Sequence, residues 1–271
     1  MSWFEAIILG LAQGLTEFLP ISSTGHLRVI PAFAGWEDPG AFFTATIQLG
    51  TMLAVVLYFW RDLWRIAETW LRSLRRPELR SALDARMGWY LVIATIPIGL
   101  AGLTFRDQIE SGARNLYLIG TVLIVLGLIL AVADRVGRRV RSVEQVGRAD
   151  AIWVGLAQAM ALIPGTSRSG ATITAGLFLG LTRTAAARFS FLLSVPAVVL
   201  SGLYGLTELV AGGDADLTAL LIATAVAFVS GYASIAFLLR WLGSHSMMIF
   251  VVYRVALGAV VLVLAGAGTI S

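Results

Sequence analysis

The chain has 271 residues, 58% of them hydrophobic and 13% charged, with a mean hydropathy of +0.85. A soluble domain carries about 25% charged residues, so the composition excludes one and points to a single helical domain integral to a membrane. The sequence has no cysteine, its two histidines lie far apart, and its basic residues are all arginine. Disulfides, thiolate or His-rich metal sites and Schiff-base lysine chemistry are therefore excluded. The net charge of +4 sits on arginines beside apolar runs, a pattern of membrane orientation and not of nucleic-acid binding.

The N-terminus, "MSWFEAIILG", lacks a basic leader and reads as mature chain, not as a signal peptide. Residues 3–35 are apolar but broken by "PISSTG", which predicts a re-entrant helix–loop–helix hairpin. "WEDPG" at 36–40 has no basic residue and is expected outside. A first spanning helix is predicted over 41–60, since about 20 apolar residues cross a bilayer. Residues 61–86 hold seven arginines, with Leu63, Trp64, Ile66, Ala67, Trp70, Leu71 and Leu74 at spacings of three and four. That predicts an interfacial amphipathic helix on the cytoplasmic side. Further spans are predicted over 87–105 and 116–133, joined outside by the mixed segment 106–115. The linker 134–150 carries five arginines and is placed in the cytoplasm.

Residues 151–182 are broken by "PGTSRSG" and predict a second re-entrant hairpin, entered from the cytoplasm. Spans follow over 189–206, 217–239 and 249–268, with the unbasic segment 207–216 outside. The fold class is thus all-α and membrane-integral, with six spanning helices and two hairpins. "GLAQ" at 10–13 recurs at 155–158, each time before a proline and a hydroxyl- and glycine-rich loop. Units of about 1–133 and 151–271 inserted from opposite sides form an inverted-topology repeat, which brings the two polar loops together near the midplane.

The chemistry is concentrated in those loops. Gln13 and Glu17 are four apart and share a helix face, and a carboxylate inside a membrane helix is costly and usually functional. Ser22 or Ser23 would cap the next helix, whose free N–H groups form an anion site. His26, three residues after Ser23, makes that pair a candidate nucleophile and base. In "PGTSRSGAT", Thr166, Ser167, Arg168, Ser169 and Thr172 stand at a second helix start, and the Arg168 fork matches phosphate oxygens. A divalent cation, Mg²⁺ or Ca²⁺, would reconcile Glu17 with a phosphate. Plainer readings stand beside these. Ser22 and Ser169 are common cap types, and Glu17 with Arg168 can be a structural ion pair joining the repeats. Gln48 is either a site residue or an interhelical hydrogen bond. Tyr253 and Arg254 either reach the site or, for Arg254, snorkel. His245 is expected to be solvated.

"QGLTEFLPISSTGH" and "PGTSRSGATI" resemble the two signature segments of the bacterial undecaprenyl-diphosphate phosphatase family, the bacitracin-resistance type. "IQLGTMLAVVLYFWRDL", "FSFLLSVPAV" and "VYRVALG" extend the resemblance over essentially the full length. It implies a multi-pass inner-membrane enzyme that takes the terminal phosphate from undecaprenyl diphosphate with a divalent cation, recycling a carrier lipid for wall synthesis. The family's acidic motif, Glu or Gln then Glu, falls on Gln13 and Glu17, so the two-carboxylate form is absent here. Its loop serine, the next residue and its histidine fall on Ser23, Thr24 and His26, and its second-loop pair on Ser167 and Arg168. The expected reaction has Arg168 and loop N–H groups binding phosphates, Ser23 or a water attacking, and His26 or Glu17 moving the proton. The lipid diphosphate enters from the bilayer, the site opens outside, and a homodimer is an open expectation. A secondary transporter or lipid flippase on the same repeat is the alternative, and an intramembrane serine protease using Ser23 and His26 a weaker one.

Overall fold

A computed structural model describes residues 1–105, 115–210 and 216–270, which are helical and contain no strand. The readings made for the loops at 106–115 and 207–216 fall largely outside these residues. In chain order the helices are α1 (Trp3–Phe18), α2 (Ser23–Ala34), α3 (Gly40–Tyr58), α4 (Trp60–Arg75), α5 (Leu83–Thr104) and α6 (Leu116–Val136). They continue with α7 (Arg148–Ala159), α8 (Arg168–Phe178), α9 (Arg183–Val210), α10 (Leu217–Trp241) and α11 (Met248–Gly266).

Local chemistry sets the ends of these helices. Ser2 and Glu5 form a capping box at the start of α1, with Ser2 Oγ accepting from Glu5 N at 3.2 Å and Glu5 accepting from Ser2 N at 2.8 Å. The chain leaves the helix at Leu19, just before Pro20. Helices occupy all six stretches expected to span. α5, α6, α10 and α11 are long and apolar enough to cross a membrane by themselves. α3 and α4 meet at a 77° bend, which turns the arginine-bearing α4 away from the axis of α3. The stretch 189–206 lies within α9.

Packing is reciprocal between the two halves. The first helix of the first hairpin, α1, packs on α10, and the first helix of the second, α7, packs on α5. α3 meets α9, and α6 meets α11. The repeated "GLAQ" has a direct reason in these contacts. A Cβ on Gly10 would stand 2.5 Å from the Ala223 carbonyl oxygen of α10, and one on Gly155 2.7 Å from Cα and O of Ala94 in α5. Only glycine lets these backbones approach so closely, the packing mode that membrane helices use in place of hydrophobic collapse.

Charge is segregated along the bundle. Glu5, Glu37, Asp38 and Asp216 surround one cavity near the start of α3. Beyond the end of α3, Asp62 takes Arg188 at 2.6 Å, and Asp134 takes Arg183 at 2.5 Å. Arg141 grips Asp150 through two bonds of 2.9 and 2.6 Å and also donates to Leu179 O, which ties the 134–150 linker to the end of α8. These bonds from Asp150 hold the Arg141 guanidinium above its ordinary pKa. The arginine-rich segments thus share one end of the bundle.

Gly155→Leu should destabilise the protein by roughly 1–3 kcal/mol, the usual effect of overpacking. The measurement is the midpoint of thermal unfolding in detergent, followed by tryptophan fluorescence. Gly99→Leu is the control, because a Cβ there meets nothing within 4 Å. Equal midpoints for the two variants would contradict the α5–α7 contact.

Candidate active site

The two polar loops are built alike. Ser22 caps α2 and Ser167 caps α8, and both adopt left-handed backbone, with φ of 76° and 67°. Each cap hydroxyl accepts from the N–H three residues on, Gly25 N at 3.3 Å and Gly170 N at 3.1 Å. Each also bonds the hydroxyl two residues on, Thr24 at 3.2 Å and Ser169 at 3.1 Å. Positive φ at a serine is strained, and such strain gathers at sites whose surroundings hold it. The first helical residue is Ser23 in one loop and Arg168 in the other. Equivalent turns therefore present a nucleophile type and a cation.

Glu17 joins them. Its Oε2 accepts from Ser23 Oγ at 2.5 Å and Gln13 Nε2 at 3.2 Å. Its Oε1 accepts from Arg168 Nη2 at 2.5 Å and Gln48 Nε2 at 3.3 Å. Arg168 Nη1 also donates to Ser194 O at 3.2 Å. Gln13 makes a second bond to Thr51 Oγ1 at 3.4 Å. Glu17 is 7% exposed, so its charge is met by one cation and three neutral donors in place of water.

His26 faces another way. Its Nδ1 lies 2.7 Å from Ser22 O and its Nε2 2.6 Å from Tyr253 Oη. A carbonyl can only accept, so Nδ1 carries the hydrogen and the neutral ring takes the tyrosine proton at Nε2. The two rings are nearly parallel, at 5°. Ser23 is thus paired with Glu17, and the expected Ser23–His26 pairing is corrected: one turn into α2, the ring points to α11.

Arg254 also departs from expectation. It neither snorkels nor faces the site. It is 1% exposed, and its five N–H groups point at five backbone carbonyls. Nε donates to Leu123 O at 3.2 Å, Nη1 to Pro20 O at 3.2 Å and Thr166 O at 3.0 Å, and Nη2 to Gly165 O at 3.1 Å and Val122 O at 3.5 Å. One side chain on α11 thereby holds both loops against α6.

The chain as a whole matches a known family. The family model described as bacitracin resistance protein BacA matches residues 6–260. The chain belongs to this family. Similar curated proteins include an undecaprenyl-diphosphatase of Nocardioides sp., 52% identical, with all of this chain and 99% of that protein aligned. One of Mycolicibacterium smegmatis is 53% identical with the same coverage, and one of Thermobifida fusca is 52% identical across 93% of its length.

Of the residues singled out from sequence, Gln13, Glu17, Ser23, Gln48 and Arg168 form one hydrogen-bonded cluster. Thr24 is exposed beside it. The cap of the second loop is Ser167 and not Ser169, whose hydroxyl instead bridges the loops by donating to Leu19 O at 3.0 Å. Thr172 is turned away, bonding Ser190 Oγ at 2.6 Å, because one turn into α8 its position faces α9. Thr166 is fully buried, and its hydroxyl has no hydrogen-bond partner among the described residues. His245 is exposed and stacks on Trp241. Thr51 and Ser194 escaped notice. Thr51 is three residues past Gln48, a spacing that could have flagged it, whereas the Ser194 contribution is a backbone carbonyl and leaves no sequence signal.

No three His, Cys, Asp or Glu side chains cluster among the described residues as a preloaded metal site would require. Glu17, Ser23 and the two glutamine amides are hard oxygen donors with a single carboxylate. That set suits a magnesium-type ion bound together with substrate phosphates.

Arg254→Lys should not substitute for the native residue, because an ammonium has three donors and no planar fork to span five carbonyls. Both Arg254→Lys and Arg254→Met should lower stability by roughly 3 kcal/mol or more, read from unfolding midpoints in detergent. A wild-type midpoint for Arg254→Lys would show that the carbonyl contacts contribute little.

Proposed function

We propose that this protein hydrolyses undecaprenyl diphosphate to undecaprenyl phosphate and inorganic phosphate at the Glu17–Ser23–Arg168 cluster. The observation that carries the reading is Glu17 bonded at once to a serine hydroxyl at the start of α2 and to an arginine at the start of α8. A phosphate-transfer site needs these parts: fixed cations and N–H groups for charge on the phosphoryl oxygens, and a positioned nucleophile beside a base. The undecaprenyl-diphosphatase names of the relatives aligned over their full length support the same substrate.

In the proposed mechanism the diphosphate displaces Glu17 from Arg168, because its oxygens offer the guanidinium fork a bidentate partner. Arg168 and the N–H groups opening α2 and α8 then hold the terminal phosphate. Ser23 Oγ attacks the terminal phosphorus as Glu17 takes its proton. The bond to the bridging oxygen breaks, and undecaprenyl phosphate leaves. Water next attacks the phosphoserine, Ser23 Oγ leaves with the proton Glu17 has held, Glu17 takes the water proton in its place, and that proton passes to solvent as inorganic phosphate is released, restoring the carboxylate. His26 anchors the Ser22 turn through Nδ1 and accepts a hydrogen bond from Tyr253 through Nε2. A divalent cation, Mg²⁺ or Ca²⁺, held by Glu17 and the phosphates would neutralise phosphoryl charge when bound.

The two halves of the chain read as an inverted repeat, supported by the matching caps and the reciprocal α1–α10 and α7–α5 contacts. The arginine-rich end is assigned to the cytoplasm by the positive-inside rule. The site is proposed to open on the outer side of a bacterial inner membrane, to a lipid diphosphate arriving from the bilayer.

Phosphate release from undecaprenyl diphosphate by the purified protein tests the reading. Arg168→Ala and Ser23→Ala should each lower turnover by about 10³-fold or more, and a chelator should lower that of the wild type. Near-normal turnover by Ser23→Ala would remove it as nucleophile in favour of water. Absence of phosphate release from a folded wild-type preparation would sink the enzyme reading.

A further inference from the structure

The arginine-rich end holds a cavity of about 790 Å³, formed where the end of α4, the start of α5 and the start of α7 meet. Arg80, Arg86 and Arg148 line its polar side, and Leu74, Trp89 and Ile93 its apolar side. All three arginines are exposed, and none has an acidic partner among the described residues. Asp84 is committed to Arg65 at 2.9 Å and Asp150 to Arg141 at 2.6 Å, while Glu78, two residues before Arg80, does not line the cavity. No acidic side chain lines the cavity. Two of the arginines are tethered at their inner nitrogen. Arg80 Nε donates to Ser73 O at 3.4 Å, and Arg86 Nε to Tyr90 Oη at 3.1 Å, with its guanidinium 5.8 Å from the Tyr90 ring centroid. This arrangement leaves the outer N–H edges of both for a ligand.

Three like charges on one cavity repel each other unless an anion joins them. The apolar side says which kind of anion. Trp89 is 43% and Leu74 49% exposed, directly beside the arginines. A free phosphate has no use for such a wall, whereas a lipid fills both halves. The location agrees, since α4 has the arginine-and-tryptophan pattern of an interfacial helix and α5 is long and apolar enough to cross the membrane. We propose that this cavity binds the phosphate headgroup of an anionic lipid from the leaflet facing the arginine-rich end. The site is separate from Glu17 and does not depend on the phosphatase reading.

The test is native mass spectrometry of the detergent-purified full chain with dioleoyl phosphatidylglycerol, dioleoyl phosphatidylcholine or inorganic phosphate added. Phosphatidylglycerol should be retained, and phosphatidylcholine should not. Inorganic phosphate at equal concentration should not displace the lipid. The triple variant Arg80→Gln, Arg86→Gln, Arg148→Gln should bind phosphatidylglycerol at least about tenfold more weakly than a control of equal charge, Arg61→Gln, Arg135→Gln, Arg240→Gln. Equal loss in both triples, or displacement by inorganic phosphate, would overturn the proposal. Should the cavity triple not fold, photocrosslinking of wild type with a headgroup-diazirine phosphatidylglycerol decides: adducts within residues 70–93 or at Arg148 support the site, and adducts only elsewhere refute it.

Discussion

Arg254 is the residue on which the rest of the arrangement depends. Two loops interrupt helices inside a membrane protein, and each leaves carbonyls without helical partners. Buried away from water, such carbonyls must be satisfied by the protein itself. Arg254 does so for Pro20, Gly165 and Thr166 in the loops, and its remaining N–H groups donate to the mid-helix carbonyls of Val122 and Leu123 in α6. Its charge is met by carbonyl dipoles and by no acid among the described residues. Five donors in one rigid plane fix the two loops relative to each other, and that relation sets where Ser23 and Arg168 stand.

Glu17 is the second fixed point. It accepts four hydrogen bonds from four elements: α1 itself through Gln13, α2 through Ser23, α3 through Gln48 and α8 through Arg168. With Arg168 the cluster is neutral, which makes burial tolerable. A glutamate at position 13 would set a second negative charge against Glu17 on the same helix face. Glutamine instead donates a hydrogen bond, so the single-carboxylate form of the motif is self-consistent and leaves Arg168 as the one formal counter-charge.

Much of this was legible from residue order. Apolar runs located the helices, and proline with glycine located the two breaks. The polar set Gln13, Glu17, Ser23, Gln48 and Arg168 was recognisable because polar groups are scarce and expensive in such a chain. The direction of each side chain was less accessible. His26 was paired with Ser23 on spacing alone, but a spacing of three fixes only neighbourhood on a helix, and Tyr253, 227 residues away, supplies the nearer partner. Arg254 and Thr172 depart from a substrate-binding role for the same reason: their types suit phosphate, while their faces point to carbonyls and to Ser190.

The amino-acid sequence by itself determined the membrane class, the helix breaks, the repeated glycine contacts and which residue types are gathered in the loops. These follow from composition, backbone restriction and local capping, all of them short-range properties. Tertiary structure alone decided that Glu17 takes Ser23 and Arg168 together, that His26 turns to Tyr253, and that Arg254 binds backbone. Each of those choices depends on groups more than a hundred residues apart being brought within hydrogen-bond reach, or on the direction in which a helix face comes to lie once packed.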